Sequence, residues 1–366
     1  MKPVKVGIIG CGYISGIYLK NSRLLKNLEV TACSDLILER AEKRAHEFDI
    51  PKTCSVEELL SDPSIEIVLN LTTPDAHYKV AKAAVDAGKS VYNEKPLSID
   101  LAEGGKLVTA AKEAKVLLGG APDTFMGGGI QTCRKLIDDG WIGAPIAAAA
   151  FMTCHGHEGW HPDPEFYYKK GGGPMFDMGP YYLTALVNLL GPIKSVKGSA
   201  RITFPDRIIT SEPKRGAKIK VEVPTHVAGL MDFHNGTIAT IITSFDVWAA
   251  QLPRIEIYGS TGSLSVPDPN TFGGPVRIQR MGEKDWSAIP LTHGYTDNWR
   301  GIGVADLAQA LRSKRAHRAN GDLCYHVLEA MHAFHSSSEE EKTIFLESSC
   351  IRPNLLPMGL NEGMLD

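Results

Sequence analysis

The chain has 366 residues, of which 43% are apolar and 22% charged, and its formal net charge is -3. That length exceeds one comfortable core, so two domains are expected, and the composition is that of an ordinary globular protein rather than a disordered or membrane-embedded one. No block of basic residues could follow a phosphate backbone, and no stretch reaches the roughly 20 apolar residues that span a bilayer, so neither nucleic acid nor membrane is expected as a partner. Seven cysteines, at 11, 33, 54, 133, 154, 324 and 350, form no CxxC pair and leave an odd one over, which suits a reducing, cytoplasmic setting. The first apolar run is short and lacks a separate cleavage site, so no secretory leader is expected.

Residues 4–9 read as a buried strand that breaks into Gly10-x-Gly12-x-x-Ser15, followed by a helical stretch and a second strand over 29–34 that ends at Asp35. That is the order of a dinucleotide-binding βαβ unit. Gly10 permits the tight turn, Gly12 lets backbone approach a pyrophosphate, and the helix N-terminus offers unpaired N–H groups to its charge. Ser15 is small enough for close helix-to-strand packing. Asp35 stands where a carboxylate accepts hydrogen bonds from an adenine-ribose diol and repels a 2'-phosphate, which favours NAD. Arg40, close by, leaves NADP open.

Helices are expected over 36–48, from the capped start Ser55 to Leu60, over 76–87 and over 101–114, with strands over 65–71, 90–92 and 116–119. Alternation of this kind builds a parallel, doubly wound sheet. Its carboxyl-end loops are 10–15, Asp35, 72–75, 93–96 and 120–124, where ligand chemistry gathers. Beyond about residue 127 the pattern changes to a helix over 130–139 and extended runs at 146–153, 194–204, 227–233, 237–247, 254–258, 262–266 and 276–280. Turn pairs such as Asn235-Gly236 mark antiparallel hairpins. The fold class expected is α/β: a Rossmann domain over 1–125, then an α+β domain over 126–366 with a large open, mostly antiparallel sheet. Helices over 175–190, 299–311 and 323–335 and a late strand over 343–347 complete it. One uncovered face of that sheet calls for a partner, and a homo-oligomer is expected.

Gly7 to Ser15, Thr73-Pro74 with His77, Asn93-Glu94-Lys95-Pro96-Leu97, and Gly171-Gly172-Gly173-Pro174-Met175-Phe176-Asp177-Met178-Gly179 together resemble the Gfo/Idh/MocA oxidoreductases, which act on sugars, cyclitols and related polyols. The resemblance covers essentially the whole chain. It implies a cis Lys95-Pro96 bond and a catalytic cleft lined by Lys95 and Asp177. It also implies a cofactor site formed by Gly10, Cys11, Gly12, Tyr13, Ile14, Asp35, Arg40, Thr73, Pro74, His77, Glu94 and Lys95. Most relatives carry a histidine four residues beyond Asp177 as proton acceptor, whereas this chain has Tyr181.

From the residues alone, Lys95 reads either as a solvated turn lysine or as a cation at a strand's carboxyl end that holds a reacting oxygen. Asp177, near the start of an apolar helix, reads either as a cap or as a site carboxylate. A free phenol near pKa 10 is a poor base at neutral pH, so either Lys95 depresses Tyr181 or the proton goes elsewhere. The other supply is Cys154-His155-Gly156-His157-Glu158-Gly159-Trp160-His161-Pro162-Asp163, with three of the 12 histidines beside a tryptophan. Imidazole and carboxylate suit sugar hydroxyls, and indole suits an apolar ring face. His155, His157, Glu158, Trp160 and His161 are therefore expected to bind substrate, with Asp123 from the 120–124 loop and an inward-turned Tyr182. A metal held by His155, His157, Glu158 and His161 is the weaker reading, because Gly156 and Gly159 spoil a regular strand. The activity implied is NAD-dependent oxidation of a secondary hydroxyl on a sugar or glycoside. The strings at 157–162 and 173–182 resemble a branch that forms 3-keto sugars. A redox-assisted glycosidase and a non-catalytic nucleotide-binding regulator are the rivals.

Overall fold

A computed structural model describes residues 2–366. Its first part alternates as β1 (Val4–Ile9), α1 (Ser15–Ser22), β2 (Leu28–Ser34), α2 (Leu38–Phe48), α3 (Val56–Ser61), β3 (Ile67–Asn70), α4 (His77–Asp86), β4 (Ser90–Asn93), α5 (Leu101–Ala114) and β5 (Leu118–Gly120). The five strands form one parallel sheet in the order β2-β1-β3-β4-β5. The order doubles back beside β1, so the turn after β1 and the loop after β3 border a crevice at the carboxyl ends. Ser55 caps α3 through a reciprocal bond with Glu58, at 3.1 and 2.9 Å. Every residue of β3 and β4 is buried, and the polar residues that end them meet side chain to side chain, Asn70 Nδ2 lying 2.5 Å from Asn93 Oδ1.

The second part runs α6 (Gly128–Asp138), β6 (Pro145–Thr153), α7 (Gly173–Asp177), α8 (Gly179–Leu190), β7 (Ile193–Arg201), β8 (Asp206–Ile208), β9 (Lys218–Lys220), β10 (His226–Phe233) and β11 (Ile238–Ser244). It continues through β12 (Ile255–Gly259), β13 (Gly262–Val266), β14 (Val276–Arg280), β15 (Ser287–Ile289), α9 (Ile302–Ser313), α10 (Gly321–Glu340) and β16 (Ile344–Phe345). Nine strands form a mixed sheet, β15-β14-β13-β12-β6-β11-β10-β7-β16, in which β6 and β11 are parallel and the other pairs antiparallel. Alternation along β10 and β11 buries Val227, Met231, Ala239 and Ile241 and leaves Leu230 and Ile238 in solvent. Asn235-Gly236 makes the expected hairpin turn, with Gly236 at φ 90°.

Several elements differ from the sequence expectations. The single helix expected over 175–190 is two: α7 stops at Asp177, and Gly179-Pro180 starts α8 afresh, because proline has no N–H to continue the earlier helix but suits a first turn. Asp177 thus closes a short helix instead of opening a long one. The extended run at 194–204 ends at Arg201, and the small hairpin of β8 and β9, whose buried middle residues are Arg207 and Ile219, gave no periodic signal. The helix expected at 299 begins at Ile302, beyond Gly301 at φ 106°. α9 and α10 then return to the first sheet, where Asn320 bridges to Gly119 and α9 packs on β4 and β5.

Candidate functional site

At the end of β1, Gly10 has φ 100°, and a Cβ there would lie 2.6 Å from the carbonyl carbon and oxygen of Leu71. A Cβ on Gly12 would meet nothing within 4 Å, so its backbone faces open space. Tyr13 and Leu36, 97% and 99% exposed, flank that space. Asp35 fixes the floor: its Oδ2 accepts from Cys11 N at 2.7 Å and its Oδ1 from Ile37 N at 2.9 Å. Ser15 is fully buried, and its Oγ donates to Gly12 O at 2.6 Å. Arg40 is exposed on α2. Arg44, one turn on and absent from the sequence expectations, reaches the turn itself, donating to Ser15 Oγ and Gly12 O, each at 3.1 Å. A glycine turn with an open cradle, a helix N-terminus and an acid one strand away fits a dinucleotide.

The loop after β4 is locked from below. Asn93 Nδ2 donates to the carbonyls of Glu94 and Leu97. Glu94 accepts from Tyr18 Oη at 2.8 Å and from Lys95 N at 2.8 Å. His77, expected at the cofactor, is instead buried beneath this loop. Its ring nitrogens lie 2.7 Å from Pro96 O and 2.9 Å from Thr72 O, so it ties the loops after β3 and β4 together. Thr73 and Pro74 lie on the loop it holds. The Lys95-Pro96 bond is cis.

Above this platform Lys95 Nζ donates to the main-chain carbonyl of Asp177 and to its Oδ1, both at 2.7 Å, while Asp177 Oδ2 lies 3.2 Å from His157 Nε2. Burial alone would push the Lys95 ammonium down, but the Asp177 carboxylate outweighs it and the net shift is upward. Burial likewise opposes ionisation of Asp177, yet Lys95 and His157 hold its carboxyl well below the usual range. Lys95 is therefore a fixed cation and Asp177 a fixed anion at neutral pH. Tyr181 is buried with its ring 5.3 Å from Lys95 Nζ and 6.0 Å from the Arg300 guanidinium. Burial pushes its phenol up, and the two cations only partly offset that.

The histidine loop divides. His157 faces Asp177 and packs among Trp160, Tyr167 and Phe245, with ring centroids 5.2, 4.1 and 4.6 Å away. Trp160 is 63% exposed at the rim, and His161 lies edge-on to it at 5.3 Å. His155 stacks on Trp248 with centroids 3.4 Å apart. Glu158 does not face the cleft: it is buried, accepts from Tyr168 Oη and pairs with Arg207 Nη1 at 2.6 Å. A carboxylate so engaged has no free oxygen for a sugar, and the four residues of the metal reading do not converge. Among the described residues no group of three or more His, Cys, Asp or Glu could hold a metal ion. Asp123 is also buried, its Oδ2 accepting from Gly301 N at 2.8 Å and Gly303 N at 3.0 Å at the start of α9. Tyr182 is fully buried among the wholly buried residues of α8 and faces no cleft. Tyr167, Arg207 and Arg300 were not foreseen. They come from short, charged or aromatic segments without periodicity.

A dinucleotide cradle and a half-buried lysine–aspartate pair, the lysine on the loop after β4 of the same sheet, define a nicotinamide-dependent oxidoreductase of two-domain build. Residues 4–120 match the oxidoreductase family with an NAD-binding Rossmann fold, and residues 130–265 match the GFO/IDH/MocA C-terminal domain. The chain is 30% identical over 270 residues to 1,5-anhydro-D-fructose reductase of Ensifer adhaerens, covering 70% of this chain and 74% of that protein. It is 24% identical to an NADP(+)-dependent scyllo-inositol 2-dehydrogenase of Bacillus subtilis (strain 168), covering 94% and 96%. Levoglucosan dehydrogenase in complex with NADH and L-sorbose shares its fold, with a TM-score of 0.81 at 18% identity, covering 95% of this chain and all of that one. The chain belongs to the Gfo/Idh/MocA family of oxidoreductases.

Proposed function

We propose that this chain oxidises a secondary hydroxyl of a sugar or glycoside to a ketone, reversibly and with NAD. The observation that carries the reading is the Lys95–Asp177 pair, half-buried at the carboxyl end of β4 on the sheet that carries the dinucleotide cradle, with exposed aromatic side chains in the adjoining loop. When bound, NAD supplies the hydride acceptor. Gly10, Cys11, Gly12, Tyr13, Ile14 and Asp35 hold it, Asp35 favouring a free 2'-hydroxyl, with Arg40 and Arg44 near enough to admit NADP. Thr73, Pro74 and Glu94 border the cofactor and His77 fixes their loops. Lys95, held protonated, donates to the alcohol oxygen and stabilises the negative charge that grows there as the proton leaves. Asp177 orients Lys95. Trp160, His161, Tyr167 and the His155–Trp248 stack offer faces to the apolar side of a pyranose ring, and Tyr181 packs under Lys95. The resemblance of 157–162 and 173–182 to 3-keto-sugar formers points to C3 of a glucoside. A homo-oligomer in the cytoplasm completes the reading, with the exposed sheet face as the contact.

NADH absorbance with NAD and NADP separately, across free sugars, inositols and aryl glycosides with product mass recorded, tests it. A rise with a product two hydrogens lighter supports the dehydrogenase. Release of aglycone without NADH would indicate a redox-assisted glycosidase, and tight nucleotide binding without turnover on any class would indicate a regulator. Lys95→Met should abolish turnover while NADH still binds.

A further inference from the structure

We infer that Arg300, just before α9 and beside Tyr181, is an anion site in the substrate cleft, and that the alcohol oxidised carries a carboxylate, as a uronic acid or a glycosiduronate does. This rests on the dehydrogenase reading above and names its substrate class. The guanidinium is half-buried, and the acceptors it has are neutral. Nη1 donates to Asn298 Oδ1 at 2.8 Å, and Nη2 to Asn270 Oδ1 at 2.6 Å and Asn270 O at 3.3 Å. At most three of the five N–H groups of a guanidinium are used in this way. The rings of Tyr181 and Phe272, each centred 6.0 Å from the guanidinium carbon, add no negative charge, since burial keeps the Tyr181 phenol protonated. Tyr18, on α1, is kept neutral by the same cause.

The acids of the neighbourhood are engaged elsewhere. Asp177 gives Oδ1 to Lys95 and Oδ2 to His157. Glu94 accepts from Tyr18 Oη and Lys95 N. Asp268, two residues before Asn270, pairs with Arg254 at 3.3 Å. The field of Asp123 reaches Arg300, but its Oδ2 accepts from Gly301 N and Gly303 N instead of from the guanidinium. A cation drawn out of water without an ionic partner is costly, so this position gains by taking an anion, and a guanidinium grips a carboxylate with charge-assisted hydrogen bonds. Its place makes that anion part of the substrate. Lys95 Nζ lies 5.3 Å from the centre of the same Tyr181 ring, so the two cations flank one side chain and one sugar can reach both. The cofactor's diphosphate is provided for at the other end of α1, by the Gly10–Gly12 turn, the helix N-terminus and Arg44. Arg300 is held near the last turn of α1 instead, where Asn21 Nδ2 donates to Asn298 O and to Arg300 O, both at 2.8 Å. The guanidinium is therefore fixed before substrate arrives. With the reacting hydroxyl on Lys95 and the carboxylate on Arg300, two points orient the ring toward the nicotinamide.

The test compares acid and neutral pairs: D-glucuronate with D-glucose, D-galacturonate with D-galactose, and methyl β-D-glucuronide with methyl β-D-glucoside. Initial rates with NAD are measured for each, together with calorimetric binding to NADH-loaded protein. At least one acid should exceed its neutral counterpart in kcat/KM by roughly 10-fold or more, the effect of a hydrogen bond to a charged group. Arg300→Gln should lose that preference mainly through KM, and Arg300→Lys, which keeps the charge without the fork, should retain part of it. NADH affinity of Arg300→Gln, read by fluorescence, should match the parent. Oxidation of neutral sugars with no acid preferred, or an acid preference that survives in Arg300→Gln, would overturn the inference. Loss of NADH affinity in Arg300→Gln with the acid preference intact would assign the residue to the cofactor and overturn it as well. If the parent oxidises none of these compounds, the dehydrogenase reading fails and calorimetry decides the site alone: acid binding that weakens in Arg300→Gln supports it, and no acid binding overturns it.

Discussion

Replacing Arg207 by methionine tests whether the cleft is held from behind. The Arg207 side chain is 3% exposed, and it pairs with Glu158 at 2.6 Å and with Asp246, donates to Phe245 O at 2.8 Å and lies 5.2 Å from the Tyr168 ring. Methionine matches much of its volume but leaves two buried carboxylates without their cation. Removing one partner of a buried pair costs roughly 3–5 kcal/mol. For a unit of this size each kcal/mol lowers Tm by about 2–4 °C, so the loss should be on the order of 10 °C. Scanning calorimetry of parent, Arg207→Met and Arg207→Lys would measure it, and lysine should recover only part because an ammonium cannot fork to both carboxylates. Turnover of Arg207→Met well below its melting point should fall more than NADH affinity, since the network ends at the His157 backbone and not at the dinucleotide cradle. A melt within about 2 °C of the parent, a fraction of a kcal/mol at this size, would refute the network as an anchor.

The two glycines of the turn should separate folding from binding: Gly10→Ala forces a Cβ to 2.6 Å from Leu71 at φ 100° and should destabilise by at least roughly 1–3 kcal/mol. Gly12→Ala, with nothing within 4 Å, should melt like the parent yet bind NADH at least about tenfold more weakly, because its methyl occupies the space of the pyrophosphate; unchanged affinity would remove the cradle. Burial pushes the Asp123 carboxyl up from 3.8 to about 6 despite two backbone N–H donors. Between those values the folded state keeps a proton that the unfolded state has released, so native stability falls as pH rises through the window and levels off above it. Asp123→Asn cannot ionise and should gain on the parent by about 2 kcal/mol from pH 4 to 6.5 in denaturant titrations, whereas a flat difference curve would refute the shift. Light scattering should give a multiple of the chain mass if the face carrying Leu230 and Ile238 is covered by another copy, and monomer alone would dismiss that contact.

How much of this was legible in the sequence depended on how far apart the cooperating residues lie. The Gly10 turn and Asp35 could be read because strand, turn and helix signals within about 35 residues agree, as local consistency requires, whereas the residues alone left Lys95 open and the family resemblance marked it. The mixed sheet was readable as extended runs, and its hairpins as turn pairs. Asp123 was misassigned because its partners, the N–H groups of Gly301 and Gly303, lie 178 and 180 residues away and carry no side-chain signal. Glu158 fell to the same cause: its cation sits 49 residues on, in a hairpin strand whose three residues show no periodicity. Tyr182 belongs to a helix buried on every side, where an amphipathic pattern that would point one face at the cleft does not exist.

Position 181 shows the same dependence on distance. Asp177, at the end of α7, is held by Lys95 from the loop after β4, 82 residues earlier in the chain. α8 delivers a tyrosine whose burial keeps it protonated, while the loop after β6 delivers His157 to the carboxylate's second oxygen. Such a loop can carry function only if something rigid stands behind it, and here that is the Glu158–Arg207–Asp246 array, placed between the loop, β8 and the end of β11. An ion pair inside a protein contributes little net stability when compared with an apolar replacement. Its value at this position is directional: it fixes one backbone N–H of the loop through Tyr168 Oη, and with it the plane of the ring that faces Asp177.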